Sequence, residues 1–161
     1  MYTRYAAKIY ALCTLYLGDA EEAKDLTHDL VLKVFDSIKT YHYRGEGSLW
    51  GWIKRITINA AINKVSRSCI FEDITSPETE FDLKDPSYGD IDSIPANELL
   101  EMVSSLPATQ RLILNMFCLD NCSHKEIADR LGITEKTSAS LLSKARKTLK
   151  KKMKDYLQNL K

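Results

Sequence analysis

The sequence predicts an all-α protein made of two small helical domains joined by an acidic extended linker. Apolar residues recur every three or four positions, and no segment alternates apolar and polar residues long enough to indicate a strand. Three of the four prolines fall within residues 71–95, which show neither period. We therefore expect one domain at 1–70, the linker at 71–95 and a second domain, with a helix-turn-helix, at 96–161.

The charges are distributed unevenly along a chain whose net charge is only +1. Residues 1–70 contain 10 Lys/Arg and 7 Asp/Glu, residues 71–101 contain 1 and 10, and residues 102–161 contain 12 and 5. Two basic ends that flank an acidic middle indicate domains with separate partners. Basic ends favour nucleic acid as one of those partners.

Several classes of protein do not fit this composition. No apolar block resembles a signal peptide, and no apolar run approaches the ~20 residues of a membrane helix. The four cysteines are too few and too scattered for a disulfide framework. The three histidines form no catalytic set, and there is no glycine-rich phosphate loop. We expect a cytoplasmic protein that is not an enzyme and needs no cofactor.

Three helices are expected in the first domain. The first covers 5–17 and is stopped by Gly18. The second, at 23–38, has one apolar stripe and carries its polar residues on the opposite side. After a break at 40–48 comes the third helix. Its predicted buried stripe consists of Leu49, Trp52, Ile53, Ile56, Ala60 and Val65.

The second domain ends in the pattern of a helix-turn-helix, after helices expected near 96–105 and after Pro107. Ser123 and Glu126 form the capping box that starts its first helix. Gly132 suits the turn, and Thr134 caps a second helix expected to reach about residue 156. A helical hairpin without a DNA role is the alternative, but four features at fixed offsets favour DNA binding.

The tip of that second helix carries little charge. The segment KTSASLLS (136–143) contains one cation, Lys136, beside hydroxyl groups able to hydrogen-bond to bases or phosphates. Most cations come later, at 144–154, where they suit contacts with the DNA backbone. Cations also stabilise helix C-termini, so phosphate contact and simple solvation have equal weight for residues 150–154. Such a domain should bind DNA weakly when isolated.

Two sets of motifs occupy the two halves of the chain. The first half contains AKDLTHDLVLKVF (23–35) and WIKRITINAAIN (52–63). In the second half Leu106, Pro107 and Arg111 precede SHKEIADRLGITEKT and KARKTL. In this order they resemble the motifs of the extracytoplasmic-function (ECF) sigma factors, the small promoter-recognition subunits of bacterial RNA polymerase. The resemblance covers nearly the whole chain.

The resemblance implies that the first domain melts the −10 promoter element and captures a base turned out of the stack. The −10 DNA-binding set would be Arg44, Lys54, Arg55, Asn59, Asn63, Lys64 and Arg67. The set that docks on core polymerase would be Asp25, His28, Asp29 and Lys33. The −35 set would be Thr134, Lys136, Thr137, Ser140, Ser143, Lys144, Arg146 and Lys147. The implied partners are core RNA polymerase, promoter DNA as duplex and as melted −10 strand, and an anti-sigma factor.

Two departures from the family pattern are visible. His28 stands where the family favours glutamine, and it keeps a hydrogen-bonding side chain. The frequent T-V-K-S-R of the recognition helix reads TSASL at 137–141, so two expected cations are missing. The −35 sequence preference of the family therefore does not transfer. A weak reader suffices where polymerase holds both domains on one promoter, because tethering makes the second contact intramolecular.

Two other signals have simpler interpretations. The spacing of Cys118, Cys122 and His124 is not that of a standard zinc finger, and no fourth ligand accompanies them. Cys118 fits the apolar stripe of its helix and is expected in the core, so we expect no metal. Trp52 is expected in the core as well, whereas for Trp50 packing and base stacking both stay open.

Two alternative functions remain. A free-standing helix-turn-helix regulator would bind duplex half-sites as a symmetric dimer, without polymerase. The basic, amide-rich face at 49–67 weighs against it, because a dimerisation helix does not need such a face. A sequestering decoy would share the architecture, but Asn59 and Arg67 weigh against that reading.

Overall fold

A computed structural model describes residues 2–69 and 93–160, and over these it contains seven α-helices, one 3-10 turn and no strand. The chain divides into two compact units at residue 68. The helices are α1 Tyr2–Leu17, α2 Ala20–Ser37, α3 Ser48–Ser68, α4 Ala96–Ser104, α5 Ala108–Cys118, α6 His124–Leu131 and α7 Glu135–Asn159, with the 3-10 turn at Ile38–Thr40. The all-α prediction is confirmed. In the described ranges no helix is long and apolar enough to cross a membrane.

The first unit is a bundle of α1, α2 and α3. Gly18 ends α1 with a φ of 70°, a conformation that glycine adopts without strain. The Asp19 carboxylate then accepts a hydrogen bond of 2.9 Å from the Glu22 N–H and caps α2. The buried apolar side chains are Ile9, Cys13, Tyr16 and Leu17 from α1, Ala23 and Leu30 from α2, and Ile53, Ile58, Ala61, Ile62 and Val65 from α3.

The face by which α3 packs differs from the predicted stripe. Of the six predicted positions, Ile53 and Val65 are buried, whereas Trp52 and Ile56 are only half-buried. Apolar residues surround much of this helix, so the apolar period alone did not select one face. Thr57 belongs to the core because its hydroxyl donates to the Ile53 carbonyl, 2.9 Å away, which satisfies it without water.

A loop before α3 is folded around one hydroxyl group. Ser48 Oγ donates to the Gly45 carbonyl at 2.8 Å and accepts from the Arg44 N–H at 3.2 Å. The same oxygen is hydrogen-bonded to the Tyr41 hydroxyl. Gly45 and Gly47 have φ values of 119° and 80°, which a side chain would strain. The loop therefore has a defined shape against the start of α3.

The second unit holds α4 to α7. The Arg111 guanidinium is 7% exposed, and its Nη1 donates to the Leu106 carbonyl at 2.8 Å and the Ser104 carbonyl at 3.2 Å. It thereby satisfies carbonyl groups where α4 ends. Of the predicted linker, residues 71–92 lie outside the described residues. Ile94 is buried against Met102 and Met153, so the last residues of that segment pack into the second unit.

The helix-turn-helix forms as its local signals predict. The capping box of Ser123 and Glu126 starts α6, and Gly132 ends it in the left-handed region with φ 69°. Thr134 caps α7 by accepting a hydrogen bond of 3.1 Å from the Thr137 N–H. Helix α7 runs for 25 residues, slightly further than predicted.

Candidate nucleic-acid interface

The exposed face of α3 carries four polar residues in one line. Arg55, Asn59, Asn63 and Arg67 follow each other at intervals of four residues, and all are exposed. Because an α-helix has 3.6 residues per turn, this spacing places them on one stripe. Two guanidinium groups flank two amides, so the stripe combines phosphate-binding charge with groups that pair with base edges.

Two further cations of the predicted −10 set lie away from that stripe. Lys54 is half-buried and lies about 100° around α3 from Arg55. Lys64 is exposed, and its charge acts on the Cys13 thiol of α1. Burial raises the pKa of that thiol, and a hydrogen bond with Thr27 and the charge of Lys64 partly offset the rise. The structure therefore brings Arg55, not Lys54 or Lys64, together with Asn59.

A cleft adjoins the N-terminal end of this stripe. It has a volume of about 430 Å³, and Arg44 and Arg55 both line it. Its full lining is Thr40, Tyr41, His42, Arg44, Ser48, Gly51, Trp52 and Arg55. The rings of Tyr41 and Trp52 lie 5.2 Å apart at 41°. The cleft thus offers aromatic surface beside two cations.

Tyr41 and His42 line this cleft although neither is among the predicted site residues, and Trp52, which was expected in the core, lines it as well. The cluster YHYR at 41–44, just before a helix, was the available signal. Trp50 takes no part in the cleft. Its ring stacks on Tyr5 at 6.2 Å, and Lys8 Nζ lies 4.9 Å from the ring centroid. Of the two interpretations left open for Trp50, packing against α1 describes its contacts.

The outward face of α2 carries the residues predicted to dock on polymerase. Asp25, His28, Asp29 and Lys33 are all exposed. Leu32 is 65% exposed and lies among them, and Phe35 is 59% exposed one turn further along. The apolar positions Leu32 and Phe35 were missed because their exposure depends on how α2 rolls against α1 and α3. Exposed apolar groups ringed by charges are typical of a protein-binding surface.

Two members of the predicted −35 set are buried. Thr137 is 6% exposed and Ser140 is 4% exposed, so neither side chain is available to a base edge. The Thr137 hydroxyl instead accepts a hydrogen bond of 2.9 Å from the Thr134 hydroxyl. Both are short side chains at the margin of the packed face of α7. Their burial does not favour the predicted DNA contact, which stays a prediction for these two residues.

The rest of the predicted set divides into two groups. Thr134, Lys136, Lys144 and Lys147 are exposed, and Ser143 is half-buried. Arg146 is half-buried, and its guanidinium lies over the Phe117 ring, 5.5 Å from the centroid. Phe117 in turn stacks on His124 at 5.0 Å. Arg146 thus helps to join α7 to α5, a role distinct from DNA contact.

Cys118 and Cys122 lie at the two ends of the turn between α5 and α6. Cys118 is exposed, so its predicted core position is wrong: it is the last residue of α5, where the helix leaves the packed region. Burial and the neighbouring Asp120 carboxylate raise the pKa of Cys122 to about 11. Within the described ranges no group of three or more His, Cys, Asp or Glu side chains could hold a metal ion.

Comparison with protein families gives two matches in chain order. The family model described as Sigma-70 region 2 matches residues 1–68. The model described as Sigma-70, region 4 matches residues 96–149. The first match contains the α2 face, the cleft and the α3 stripe, and the second contains the helix-turn-helix.

Relatives match over nearly the whole chain. The ECF RNA polymerase sigma factor SigE of Mycolicibacterium smegmatis is 29% identical over 96% of this chain and 59% of its own length. The RNA polymerase sigma-H factor of Pseudomonas aeruginosa is 26% identical over 96% and 85%. The ECF RNA polymerase sigma factor SigW of Bacillus subtilis is 24% identical over 94% and 86%.

Among solved structures, the sigma factor RpoE from Bartonella quintana, in complex with the anti-sigma factor NepR, is similar with a TM-score of 0.49 and 17% identity, over 94% of this chain and 93% of that one. The two family matches and the relatives agree with the motifs of both halves of the sequence. The chain belongs to the extracytoplasmic-function sigma factors of the sigma-70 family.

Proposed function

We propose that this chain directs transcription initiation by binding core RNA polymerase and then contacting the −10 and −35 elements of promoter DNA. The observation that carries the proposal is the Arg55–Asn59 stripe beside the aromatic cleft, within the segment that matches Sigma-70 region 2. The stripe suits an unpaired strand, because it offers both phosphate-binding charge and amides for base edges.

The cleft is the proposed pocket for the base that leaves the −10 stack. Unstacking a base costs a few kcal/mol, and stacking on an aromatic side chain returns about 1–3 kcal/mol. Trp52 and Tyr41 supply aromatic surface in the cleft, and Arg44 and Arg55 supply donors at its edge. The strand would then continue along Asn59, Asn63 and Arg67.

The outward face of α2 is the proposed docking surface for core polymerase. Leu32 supplies apolar area at its centre, and the charges of Asp25, Asp29 and Lys33 around it supply specificity. An anti-sigma factor as a further partner stays a prediction.

The −35 contact is proposed for Thr134, Lys136, Ser143, Lys144 and Lys147. With so few base-reading groups, this contact is weak on its own and becomes effective when polymerase holds both units on one promoter. A free-standing dimeric regulator is not favoured, since both family regions are present and the α3 stripe has no purpose in such a protein.

The test is permanganate footprinting of melted thymines in a complex of core polymerase, this chain and promoter DNA. Asn59→Ala and Arg55→Ala should each reduce the melted signal about tenfold or more while leaving polymerase binding unchanged. Lys8→Ala is a matched control for Arg55→Ala, because it removes an exposed cation from α1 of the same unit. Equal melting by all three variants would contradict the proposed role of the stripe.

A further inference from the structure

The last ten residues of α7, 150–159, lie beyond the region that the family match covers. That match ends at residue 149, whereas α7 continues to Asn159. This extension contains four lysines, Lys150, Lys151, Lys152 and Lys154, and one carboxylate, Asp155. We propose that its exposed lysines bind DNA phosphates and extend the duplex contact of the helix-turn-helix; the proposal rests on the proposed function.

The extension is held in place by a small core of its own. Met153 is buried against Met102 and Ile94, and Leu149, Tyr156 and Leu157 pack around them. These apolar positions of α7 recur every three or four residues and fix the roll of the helix. The outward face of the extension is therefore as well defined as that of the helix-turn-helix itself.

The lysines on this outward face continue the line that starts at the helix tip. Lys136 and Lys154 are 18 residues apart, which is five full turns, so they lie on the same side of α7 about 27 Å apart. Lys147 and Lys151 lie between them near that line, and all four are exposed. If α7 lies along the duplex with its tip in the major groove at Lys136, it crosses the bounding phosphates within this length, since the groove is only about 12 Å wide.

Stabilisation of the helix end does not account for these lysines. The helix dipole acts within the last turn, and the last turn of α7 contains no basic residue. Residues 143–154 contain no acidic residue either, so the stripe is not an alternating pattern of surface ion pairs. A one-sided row of lysines matches the phosphate backbone in charge, and it contributes affinity without reading sequence.

The test measures how salt weakens the binding of promoter duplex to the complex of core polymerase with the full chain. The double variant with Lys151→Gln and Lys154→Gln should lower the slope of log affinity against log salt by about 1.8, and affinity at physiological salt about tenfold. Lys152→Gln is the control: it removes one lysine charge at a half-buried position, which a spacing of two residues places nearly opposite Lys154 on α7, and it should leave the slope unchanged.

An unchanged slope for the double variant would overturn the inference. A loss of core-polymerase binding instead of DNA binding would overturn it as well, because the lysines of α7 would then form a protein-binding surface. Both outcomes differ from failure of the proposed function, in which the unaltered chain itself forms no promoter complex with polymerase.

Discussion

His124 Nδ1 lies 2.9 Å from the Ser138 hydroxyl oxygen and so joins the first turn of α6 to the first turns of α7. Ser138 is fully buried, and the His124 ring stacks on Phe117 of α5. The imidazole of His124 therefore connects α6 to both α5 and α7. This contact therefore helps to fix the orientation of α7 relative to α5 and α6.

Ser138→Ala should destabilise the second unit by about 1 kcal/mol, the usual loss for one hydrogen bond. Both tryptophans, Trp50 and Trp52, belong to the first unit, so urea unfolding followed by circular dichroism should show the change and tryptophan fluorescence should not. Equal shifts in both signals would contradict a contact confined to the second unit.

Arg111→Met should cost the second unit about 2 kcal/mol, more than Ser138→Ala. Its guanidinium makes charge-assisted bonds to the buried Leu106 carbonyl and the part-buried Ser104 carbonyl, and methionine donates to neither. The same unfolding measurement checks it. Arg130→Met is the control, because the Arg130 side chain is 32% exposed and its Nη1 lies 3.9 Å from Asp120 Oδ2, a weak ion pair at the surface. An equal loss of unfolding free energy in the two variants would contradict the structural role of Arg111.

Trp52→Ala should impair promoter melting by about tenfold, since it removes the aromatic wall of the cleft. Trp52→Phe should restore most of the activity because a ring remains for stacking. Trp50→Ala is the matched control, because its ring contacts Tyr5 and Lys8 instead of the cleft. The readout is permanganate reactivity; greater loss with Trp50→Ala than with Trp52→Ala would argue against the cleft as the base pocket.

Leu32→Ala should weaken core-polymerase binding about tenfold or more without lowering the free energy of unfolding, because the side chain is 65% exposed. Leu160→Ala is matched in residue type and exposure, at 64%, and lies in the other unit. Fluorescence anisotropy with labelled chain measures both affinities. Comparable affinities of the two variants for core polymerase would show that Leu32 does not belong to the docking surface.

Cys122 should alkylate more slowly than the exposed Cys118 at about pH 8, because its raised pKa leaves little thiolate. Since the folded chain holds this proton up to about pH 11 and the unfolded chain releases it near 9.0, stability should fall as pH rises through that interval. Asp120→Asn should lower the pKa of Cys122 and speed its alkylation. Mass spectrometry of iodoacetamide adducts measures the rates, and faster labelling of Cys122 would contradict the assignment.

Local signals in the sequence predicted the parts of the fold that depend on neighbouring residues. The Ser123–Glu126 capping box and the Gly132 turn form as predicted, because each is decided within one helical turn. The buried face of α3 was not predictable in the same way. Apolar residues surround that helix, and only its packing against α1 and α2 selects Thr57 and Ile58 over Trp52 and Ile56.

The candidate site shows the same division. The motif identifies Asn59 and Arg55, and the spacing of five residues places Lys54 and Lys64 away from Asn59 on α3. Which of these positions is exposed depends on the packing of α3 and was not predicted. The cleft depends on a loop shaped by Gly45, Gly47 and Ser48, and hydroxyl bonds of this kind have no sequence period. In α7, the family resemblance implied that Ser140 contacts the −35 element, whereas packing buries it.

The most direct test of the central claim is run-off transcription with core polymerase from the source organism and a library of promoter fragments, with and without this chain. We expect transcripts from a discrete set of start sites only when the chain is present, and their loss with Asn59→Ala. No chain-dependent transcript, together with footprints on duplex DNA in the absence of polymerase, would contradict it.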